Sequence, residues 1–552
     1  MISTNITIGN QSIILTSNDN RLRLILSQLI SHLTLFDVVM NPISKKFEKV
    51  PKMFFYIFKE YGNNFDFLIS KNSLNELLYY IHQNNFDKTQ LKIFKRIYKH
   101  AKVDIALNEK TIPRENQTIY IDNIVKSDIS NILIDLPPGY GKSLIGFFSM
   151  VKLGTRSAVL IKPSYLKKWI DDIKKYSPKM KDDEFFIIKG GDSLTKLFSL
   201  SKTELENIKI YVISMRTITN YFNSYYSDDF SYPVTPYQFM EYTGIANILN
   251  DESHKEFESL FKIILWMDPS KLIGMSATME SDKKNMNYFY NLIYPKKHRL
   301  ISMFGIKKYA HMIFYTYKLN QGIFIPHKSM MGYNHIMFEQ NVMKNIKLLK
   351  DYVQMIKDIA DTYYYARKNK GEKLLILFST IDMCSIMTKA FKEHYRELSI
   401  KRYVEKDDYY DMLTGDVVIS TNGSTGTAID IPGLLTAIQT VPISDKQLNI
   451  QALGRLREIP GREVQYISLH CENIQMHKVY KEKRRHILLD RVAFISEQYH
   501  DNKLGNPGVP NAPKNGNYKD FSKGYKQKYF TKYNPYNSKS KPKNSFRKNN
   551  KW

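Results

Sequence analysis

Residues 136–143 read Leu-Pro-Pro-Gly-Tyr-Gly-Lys-Ser and could bind the phosphates of a nucleotide. They match the phosphate-loop pattern G-x-x-x-x-G-K-[ST], except that leucine replaces its first glycine. The apolar run 131–136 predicts a buried strand before this loop, and 144–150 predicts a helix after it. In such an arrangement, backbone N–H groups and the positive end of the helix surround the phosphates. We expect Lys142 to reach the β- and γ-phosphates and Ser143 to bind Mg²⁺. The candidate nucleotide-binding residues are Leu136, Pro137, Pro138, Gly139, Tyr140, Gly141, Lys142 and Ser143.

A second motif, Asp-Glu-Ser-His at 251–254, could supply the acid chemistry that a phosphate loop lacks. Residues 245–249 predict a strand that places the motif at its carboxyl end. Asp251 can hold the magnesium ion, directly or through water, and Glu252 can orient and polarise the attacking water as a general base. An isolated acid pair is usually a solvated turn, but the phosphate loop upstream favours the functional interpretation. The motif residues are Asp251, Glu252, Ser253 and His254.

A third motif is Ser276-Ala277-Thr278, which follows a predicted strand over 271–275. Its hydroxyl groups could link the acidic motif to a second lobe through hydrogen bonds. Without the other motifs, these three residues would indicate only the end of a strand.

The second half of the chain repeats the strand pattern without a phosphate loop. Residues 373–380 and 416–421 are predicted strands, and the latter leads into Gly-Thr-Ala-Ile-Asp-Ile-Pro at 426–432. This half therefore predicts a second α/β lobe that adds residues to the first.

Gln451, Arg455 and Arg457 are predicted to lie on a helix that Asp445 opens. An arginine is suited to a finger role, because its planar and permanently charged group stabilises the charge on a transferring phosphoryl group. A finger that crosses a cleft between two lobes would make hydrolysis depend on closure of the lobes. The alternative is that these arginines lie on the surface of an amphipathic helix.

Taken in order, the motifs resemble those of superfamily 2 helicases of the DExH type, over roughly residues 113–495. The resemblance is greatest to viral and phage DNA helicases, of the poxvirus transcript-release and phage branch-migration types. These share the segments matched here at 251–254, 426–432 and 451–455. The resemblance implies two tandem RecA-like α/β lobes, ATP and Mg²⁺ as cofactors, and ATP-driven translocation and strand separation, usually three-prime to five-prime.

The resemblance also assigns two further nucleotide-site residues. Gln117, in the segment 113–117, corresponds to the glutamine with which the family reads adenine, and Asp430 belongs to the glycine-threonine segment. For Gln117, a role in starting a helix remains the alternative.

The sequence departs from the family pattern near the arginines. The pattern Gln-x-x-Gly-Arg-x-x-Arg would place its second arginine at 458, where this chain has Glu458, and Arg457 comes one residue early. Either the local backbone compensates, or Arg455 alone is the finger. In addition, Ala428 stands where many members carry a second glycine.

These placements predict five regions. They are an N-terminal accessory domain (1–110), a first, ATP-binding lobe (111–300), an inter-lobe connection (301–345), a second lobe (346–497) and a disordered tail (498–552).

The accessory domain shows no catalytic motif. Residues 12–16 predict a strand, and 22–34 and 74–98 predict helices. We expect this domain to position the substrate or to dock onto replication or transcription machinery. A separate aromatic-rich segment at 221–242 predicts an inserted loop whose rings pack together rather than stack on bases.

The net charge of +27 indicates a polyanionic partner, and residues 501–552 contribute thirteen Lys or Arg and only two Asp. Basic residues interleaved with aromatic ones are suited to phosphate contact and base stacking. The alternative is a tail that only adds solubility. The aromatic residues of this tail are Tyr518, Phe521, Tyr525, Tyr529, Phe530, Tyr533, Tyr536, Phe546 and Trp552.

The composition also argues against several classes. No apolar run approaches the length of a membrane span, and the first residues lack a secretion signal. We therefore expect a cytoplasmic protein, located in the host cytoplasm or the virion if it is viral. Cys384 and Cys471 lack metal-ligand spacing and are expected to fill the core in a reducing compartment.

The function that these features favour is an ATP-dependent helicase or translocase, with DNA as the preferred partner in single-stranded or branched form. An RNA helicase or a transcription-termination ATPase remains open, because such lobes mainly contact the phosphate backbone. We expect Pro163, Ser164 and Ser214, at predicted strand ends, to lie near that backbone. A restriction-type or nuclease-fused motor is disfavoured, because no nuclease carboxylate–lysine cluster is recognisable. A nucleic-acid-binding protein with an impaired ATPase is disfavoured by the intact Lys142 and acid pair.

Overall fold

Three large β-sheets organise the part of the chain that the structure describes. The computed structural model describes residues 4–41, 44, 46–98, 100–137, 139–225, 227, 230–276, 279–281, 284–302, 308–329, 332–404, 407–424 and 431–505. One sheet has five strands of mixed direction, and the other two have seven parallel strands each. Helices flank both parallel sheets, so the predicted α/β fold of two tandem RecA-like lobes is confirmed. The predicted tail from residue 506 onward lies outside the described residues.

The N-terminal body is built on the five-stranded sheet, in the order β5-β6-β2-β1-β7. Strands β3 and β4 form a separate antiparallel ribbon. The helix predicted over 74–98 is wrong beyond Gln83, because β7 pairs with β1 as an edge strand and places Ile93 beside Ile6. The bounds are β1 Thr4–Ile8, β2 Ser12–Ser17, α1 Asn20–His32, β3 Thr34–Met40, β4 Phe47–Phe54, β5 Ile57–Tyr61, β6 Asn64–Ser70, α2 Leu74–Gln83 and β7 Leu91–Lys95.

The first lobe has the strand order β10-β11-β9-β12-β13-β8-β14. Its central strands are buried almost throughout, as expected for a parallel sheet that is covered on both faces. The bounds are α3 Glu115–Lys126, β8 Asn131–Asp135, α4 Lys142–Lys152, β9 Ser157–Ile161, α5 Leu166–Tyr176, β10 Phe185–Ile188, α6 Gly191–Phe198, α7 Lys202–Asn207, β11 Ile210–Ser214, α8 Met215–Ser224, α9 Phe239–Thr243, β12 Asn247–Asn250, α10 Phe257–Met267, β13 Lys271–Ser276, α11 Lys284–Ile293 and β14 Arg299–Ile301.

The second lobe has the strand order β19-β20-β18-β21-β22-β15-β23. Strand β15 falls in the segment expected to connect the lobes, but it pairs with β22 and β23 inside this sheet. Strand β23 continues past residue 498, where the tail was expected to begin. The bounds are β15 Ala310–Leu319, β16 Lys328–Ser329, β17 Gly332–Tyr333, α12 His335–Lys344, α13 Ile346–Ala360, β18 Lys373–Phe378, α14 Ile381–His394, β19 Ile400–Tyr403, α15 Tyr409–Thr414, β20 Val417–Thr421, β21 Leu434–Gln439, α16 Lys446–Leu453, β22 Val464–Cys471, α17 Gln475–Leu488 and β23 Phe494–Leu504.

The N-terminal body shares a hydrophobic core with one face of the first lobe. Phe55 stacks on Phe289 with ring centroids 3.8 Å apart and meets Phe261 edge-on. Asp268, at the end of α10, accepts hydrogen bonds from the backbone N–H groups of the β1–β2 turn. The body is therefore anchored to the lobe by both apolar packing and a buried carboxylate.

The aromatic-rich segment 221–242 packs into this same core, as the sequence predicts. Tyr221 is buried and contacts Phe222, Phe239 and Tyr232. The described rings of this segment thus serve packing.

A buried carboxylate organises the second lobe near the end of β18. Glu339 of α12 accepts hydrogen bonds from the backbone N–H groups of Ser379 and Thr380, each at 2.8 Å, and from the Thr380 hydroxyl at 2.9 Å. It therefore fixes the start of α14. Despite these donors, complete burial raises the pKa of Glu339 to about 7.

Candidate nucleotide-binding site between the lobes

The phosphate loop joins the carboxyl end of β8 to the first turn of α4. Gly139 and Gly141 have φ values of 88° and 77°, in the left-handed region that favours glycine. A Cβ atom at Gly141 would meet Nε2 of Gln117, so a side chain there would have to displace the Gln117 amide from the loop. Leu136, which replaces the first glycine of the pattern, is buried in the core. Pro138 lies outside the described residues.

Lys142 points back over the loop. Its Nζ atom donates hydrogen bonds to the carbonyl oxygens of Leu136 at 2.9 Å and Pro137 at 3.3 Å. Burial lowers the pKa of Lys142, and the nearby Glu252 and Asp251 oppose that shift. The ammonium group thus lies between the loop and the acidic motif, as required for a group that neutralises phosphate charge.

Gln117 makes the predicted contact at the start of a helix and also contacts the phosphate loop. Its Oε1 atom accepts a hydrogen bond from the backbone N–H of Arg114 at 2.9 Å, which stabilises the start of α3. Its Nε2 atom donates to the carbonyl oxygen of Tyr140 at 2.9 Å, inside the phosphate loop. The structure therefore places Gln117 in direct contact with the loop, and its reading of adenine stays a prediction.

The acidic motif follows directly after β12, and all four of its side chains are buried. Glu252 has φ = 56°, a conformation that non-glycine residues adopt rarely and mostly at functional sites. Oδ2 of Asp251 accepts a hydrogen bond of 2.9 Å from the indole Nε1 of Trp169, on α5. Asp251 is thus held in place by a tryptophan from a neighbouring strand–helix unit.

The predicted magnesium ligands converge on one point. Nζ of Lys168 lies 3.5 Å from Oγ of Ser143 and 3.7 Å from Oδ2 of Asp251. A hydroxyl and a carboxylate are hard oxygen donors of the kind that Mg²⁺ prefers, and here they already face a common cation. The residues therefore fit a magnesium site, in which Ser143 and Asp251 would hold the ion and the ion would neutralise phosphate charge.

His254 connects the acidic motif to the third motif and to the second lobe. Its Nδ1 lies 3.0 Å from Oγ of Ser276, and its Nε2 lies 2.8 Å from Nε2 of Gln451, on α16. With the Gln451 amide N–H donating, Nε2 of His254 accepts, so the ring proton sits on Nδ1. Oε2 of Glu252 is 3.5 Å from that Nδ1. Burial lowers the pKa of His254 to about 3, so the ring is neutral.

This network contains the hydrogen bonds expected of the third motif. Ser276 forms the predicted link, by way of His254, while Ala277 and Thr278 lie outside the described residues. Ser253 is buried and lies 3.3 Å from the backbone oxygen of Asn250.

The two arginines do not lie on a helix, which corrects the sequence prediction. Helix α16 ends at Leu453, and Gly454 forms its C-terminal cap. The chain then leaves helical geometry, and the side chain of Arg457 reaches the phosphate loop. A Cβ atom at Gly139 would lie 3.4 Å from Nε of Arg457. The irregular backbone thus brings Arg457 beside the phosphate loop, while Glu458 is exposed, and a finger role for Arg457 stays a prediction.

Arg455 is buried in the same cleft, which contradicts the surface-arginine alternative. Burial lowers the pKa of Arg455 to about 10, and its electrostatic interactions with Tyr165 and Glu252 oppose that shift. Tyr165 and Glu252 belong to the first lobe. Both arginines therefore extend from the second lobe toward the nucleotide-site residues of the first.

Additional contacts hold the lobes together beside the site, and sequence reasoning missed them. Lys446 of α16 forms an ion pair of 2.8 Å with Glu280, and Lys167 lies 3.9 Å from the ring centroid of Tyr410. Trp169 and Lys168 were missed as well. Their only signal was their place seven and eight residues after the end of β9, in the first turn of the following helix. This place becomes informative once α5 is known to pack beside the acidic motif.

The remaining predicted residues lie at strand ends, in the glycine-threonine segment and in the core. Pro163 and Ser164 are exposed at the end of β9, whereas Ser214 is buried and its side chain does not reach the surface. Asp430 and its neighbours 425–429 lie outside the described residues. Cys384 and Cys471 are both buried.

Comparison with known protein families gave one match. Residues 63–281 match the family described as type III restriction enzyme, res subunit. The matched stretch covers less than half of the chain, from β6 through the phosphate loop and the acidic motif to β13. The ATP-hydrolysing enzyme class predicted from the motifs agrees with this match. Comparison with curated proteins gave no match.

Structural comparison matched this chain to several solved helicase structures, each at low identity. The helicase domain of Pyrococcus furiosus Hef is 13% identical, with a TM-score of 0.40, over 67% of this chain and 98% of that chain. Mycobacterium smegmatis Lhr, bound to single-stranded DNA and AMP-PNP, is 12% identical, with a TM-score of 0.47, over 70% and 49%. Saccharomyces cerevisiae Dbp5, bound to RNA and ADP–BeF3, is 12% identical, with a TM-score of 0.46, over 70% and 90%.

Two other kinds of structural feature are absent from the described residues. Within that part of the chain, no helix is both long and apolar enough to cross a membrane. Nor do the described residues contain a group of three or more His, Cys, Asp or Glu side chains arranged to hold a metal ion.

Proposed function

We propose that this chain is an ATP-dependent helicase or translocase that prefers DNA and acts in replication, recombination or transcription of the viral or phage type. The observation that carries the proposal is that one site draws on both lobes. Gln451 contacts His254, and Arg457 lies against Gly139, so residues of the second lobe complete a site built on the first. An ATPase of this design hydrolyses efficiently only when its lobes are closed.

Some residues of this site bind the nucleotide, and others take part in its hydrolysis. Lys142 and the N–H groups of the phosphate loop hold the phosphates, and Ser143 with Asp251 holds the magnesium ion. Glu252 accepts the proton of the attacking water. Arg455 and Arg457 stabilise the charge that builds up on the transferring phosphoryl group.

His254 couples this chemistry to movement of the lobes. Its neutral ring places Nδ1–H toward Ser276 and Glu252, while Nε2 accepts from Gln451 of the second lobe. Separation of the lobes would break the contact with Gln451 and free the ring to rotate. The general base would then lose a fixed neighbour.

Support for DNA comes from the resemblance of the motifs to viral and phage DNA helicases, while the net charge of +27 supports a nucleic-acid partner of either kind. A cytoplasmic or virion location is part of the same proposal. The basic and aromatic tail and the N-terminal body are the proposed contacts for nucleic acid and for replication or transcription machinery. A restriction-type motor is the second candidate, because the matched family carries that description.

An ATPase assay with separate stimulators tests these proposals. Single-stranded DNA, duplex DNA and RNA would be added in turn to the purified chain, with strand separation measured on a forked duplex. We expect DNA to stimulate turnover most. Equal or greater stimulation by RNA would replace the DNA preference with the RNA-helicase alternative, and failure of every nucleic acid to stimulate would contradict the motor itself. Translocation on duplex DNA without strand separation would favour the restriction-type candidate.

A further inference from the structure

Lys168 lies where the two predicted magnesium ligands meet. Its ammonium nitrogen is 3.5 Å from the hydroxyl oxygen of Ser143 and 3.7 Å from Oδ2 of Asp251. The same carboxylate oxygen accepts the indole N–H of Trp169 at 2.9 Å. One buried acid is thus neutralised by a lysine and fixed by the tryptophan that follows it in sequence.

The local fold explains why this lysine of α5 reaches the site. Trp169 is fully buried under the lobe and sets the rotation of α5, which directs the preceding residue toward the acidic motif. The side chain of Lys168 is 21% exposed, whereas Lys174 and Lys175 on the same helix face solvent. Packing of α5 therefore holds Lys168 in place.

We propose that Lys168 is an internal counter-cation, which competes with the metal ion for Ser143 and Asp251 and must be displaced when magnesium nucleotide binds. This inference rests on the proposed function and adds a means of regulating the same site. A buried carboxylate is costly without a cation, so the lysine stabilises Asp251 whenever no metal ion is bound. Because an ammonium and a divalent ion cannot share Asp251 at contact distance, metal binding is weakened until phosphates arrive to help hold the ion.

Binding of Mn²⁺ to the nucleotide-free protein, measured by electron paramagnetic resonance, tests the proposal without relying on turnover. Lys168→Gln removes the charge, and Lys168→Met removes it while keeping the apolar stem, so either soluble variant suffices. Lys168→Arg keeps the charge. Lys175→Gln is the matched control, because it removes the same charge from an exposed position on the same helix.

We expect the Gln and Met variants to bind Mn²⁺ on the order of tenfold more tightly than the wild type, because the competing charge is gone. The Arg variant and Lys175→Gln should match the wild type. Their melting temperatures in EDTA should separate as well: the Gln and Met variants should melt lower than the wild type and recover when Mg²⁺ is added.

Two results would overturn the inference. One is unchanged Mn²⁺ affinity in the Gln and Met variants. The other is weaker binding of MgADP with unchanged Mn²⁺ affinity, which would make Lys168 a phosphate ligand. Failure of the wild type to bind MgADP would instead contradict the proposed function, and the Mn²⁺ comparison would still report on Lys168.

Discussion

The two lobes share a seven-stranded parallel sheet but present their functional residues differently. In the first lobe, Asp251 and Ser276 lie at or just beyond strand ends, and Lys142 begins the helix that follows the phosphate loop, so regular elements fix their positions. In the second lobe, Arg455 and Arg457 lie on irregular backbone after α16. The difference indicates that the first lobe holds a preorganised site, whereas the second supplies groups whose placement depends on how the lobes meet.

The largest loss of ATP turnover should come from a substitution in the preorganised site of the first lobe. Lys142→Ala removes the charge that faces both the loop carbonyls and the acidic motif, so ATP turnover should fall to background. Steady-state phosphate release measures this. Lys152→Ala, at the other end of α4, should turn over at the wild-type rate, and equal losses in the two variants would mean that helix α4 and not the charge is being tested.

Glu252→Gln should separate binding from chemistry within the same lobe. The amide preserves shape, and Asp251 keeps its contacts, so nucleotide affinity should remain. Hydrolysis should drop by roughly 10² to 10⁴, because general-base help is lost. Nucleotide binding by fluorescence titration alongside single-turnover hydrolysis measures both. Wild-type turnover in this variant would show that another group activates the water.

Substitution of the two arginines tests the contribution of the irregular backbone that follows α16 in the second lobe. Arg455→Ala should leave ATP binding nearly intact but lower kcat under nucleic-acid stimulation, because a finger acts in the transition state. Arg457→Ala should cause a comparable loss, since its side chain lies against Gly139. If Arg455→Ala loses activity and Arg457→Ala does not, Arg455 is the single finger and Arg457 serves packing.

The smallest expected effect is a difference in pH dependence between the lobes. Glu339 has a pKa near 7 when folded, above its ordinary value of 4.5, so its stabilising effect is complete below about pH 4.5 and is lost as pH rises through 7. His254 has the opposite sign: its pKa is lowered to about 3, so stability is lost as pH falls below its ordinary value of 6.5.

Chemical denaturation of the wild type and Glu339→Gln between pH 4.5 and 8 measures how much Glu339 contributes to the pH dependence of the free energy of unfolding. The wild type should be relatively most stable at the acid end, and this advantage should shrink by up to about 3 kcal/mol toward pH 8. Glu393→Gln, at an exposed position on α14, controls for the change of residue type. A pH-independent difference between wild type and Glu339→Gln would rule out this titration.

The contrast between the lobes also explains what could be predicted from sequence. The phosphate loop and the acidic motif lie next to continuous apolar strands, and such strands place their carboxyl ends at one edge of a parallel sheet. Lys142 and Asp251 could therefore be positioned without coordinates. The reach of Arg457 could not, because it depends on where α16 stops and how the following backbone bends.

Two other features had no usable signal in the sequence. Trp169 and Lys168 act on Asp251 across 82 and 83 positions of sequence, through the packing of α5 beside β12. Strand β7 carries lysines at 92 and 95 among apolar residues, a spacing that also fits a helical period, and only its pairing with β1 decides between the two. Tertiary contacts, and not local preference, set the outcome in both cases.

Helix α10 joins the acidic motif to the N-terminal body. It begins at Phe257, just after that motif, and ends at Met267. The next residue, Asp268, holds the turn of Asn10, Gln11 and Ser12 through its carboxylate. Eleven residues of helix make a strut of about 16 Å that resists bending. If the lobes move during hydrolysis as proposed, the N-terminal sheet would move with the first lobe, and a macromolecule bound to that sheet would be carried relative to the second lobe.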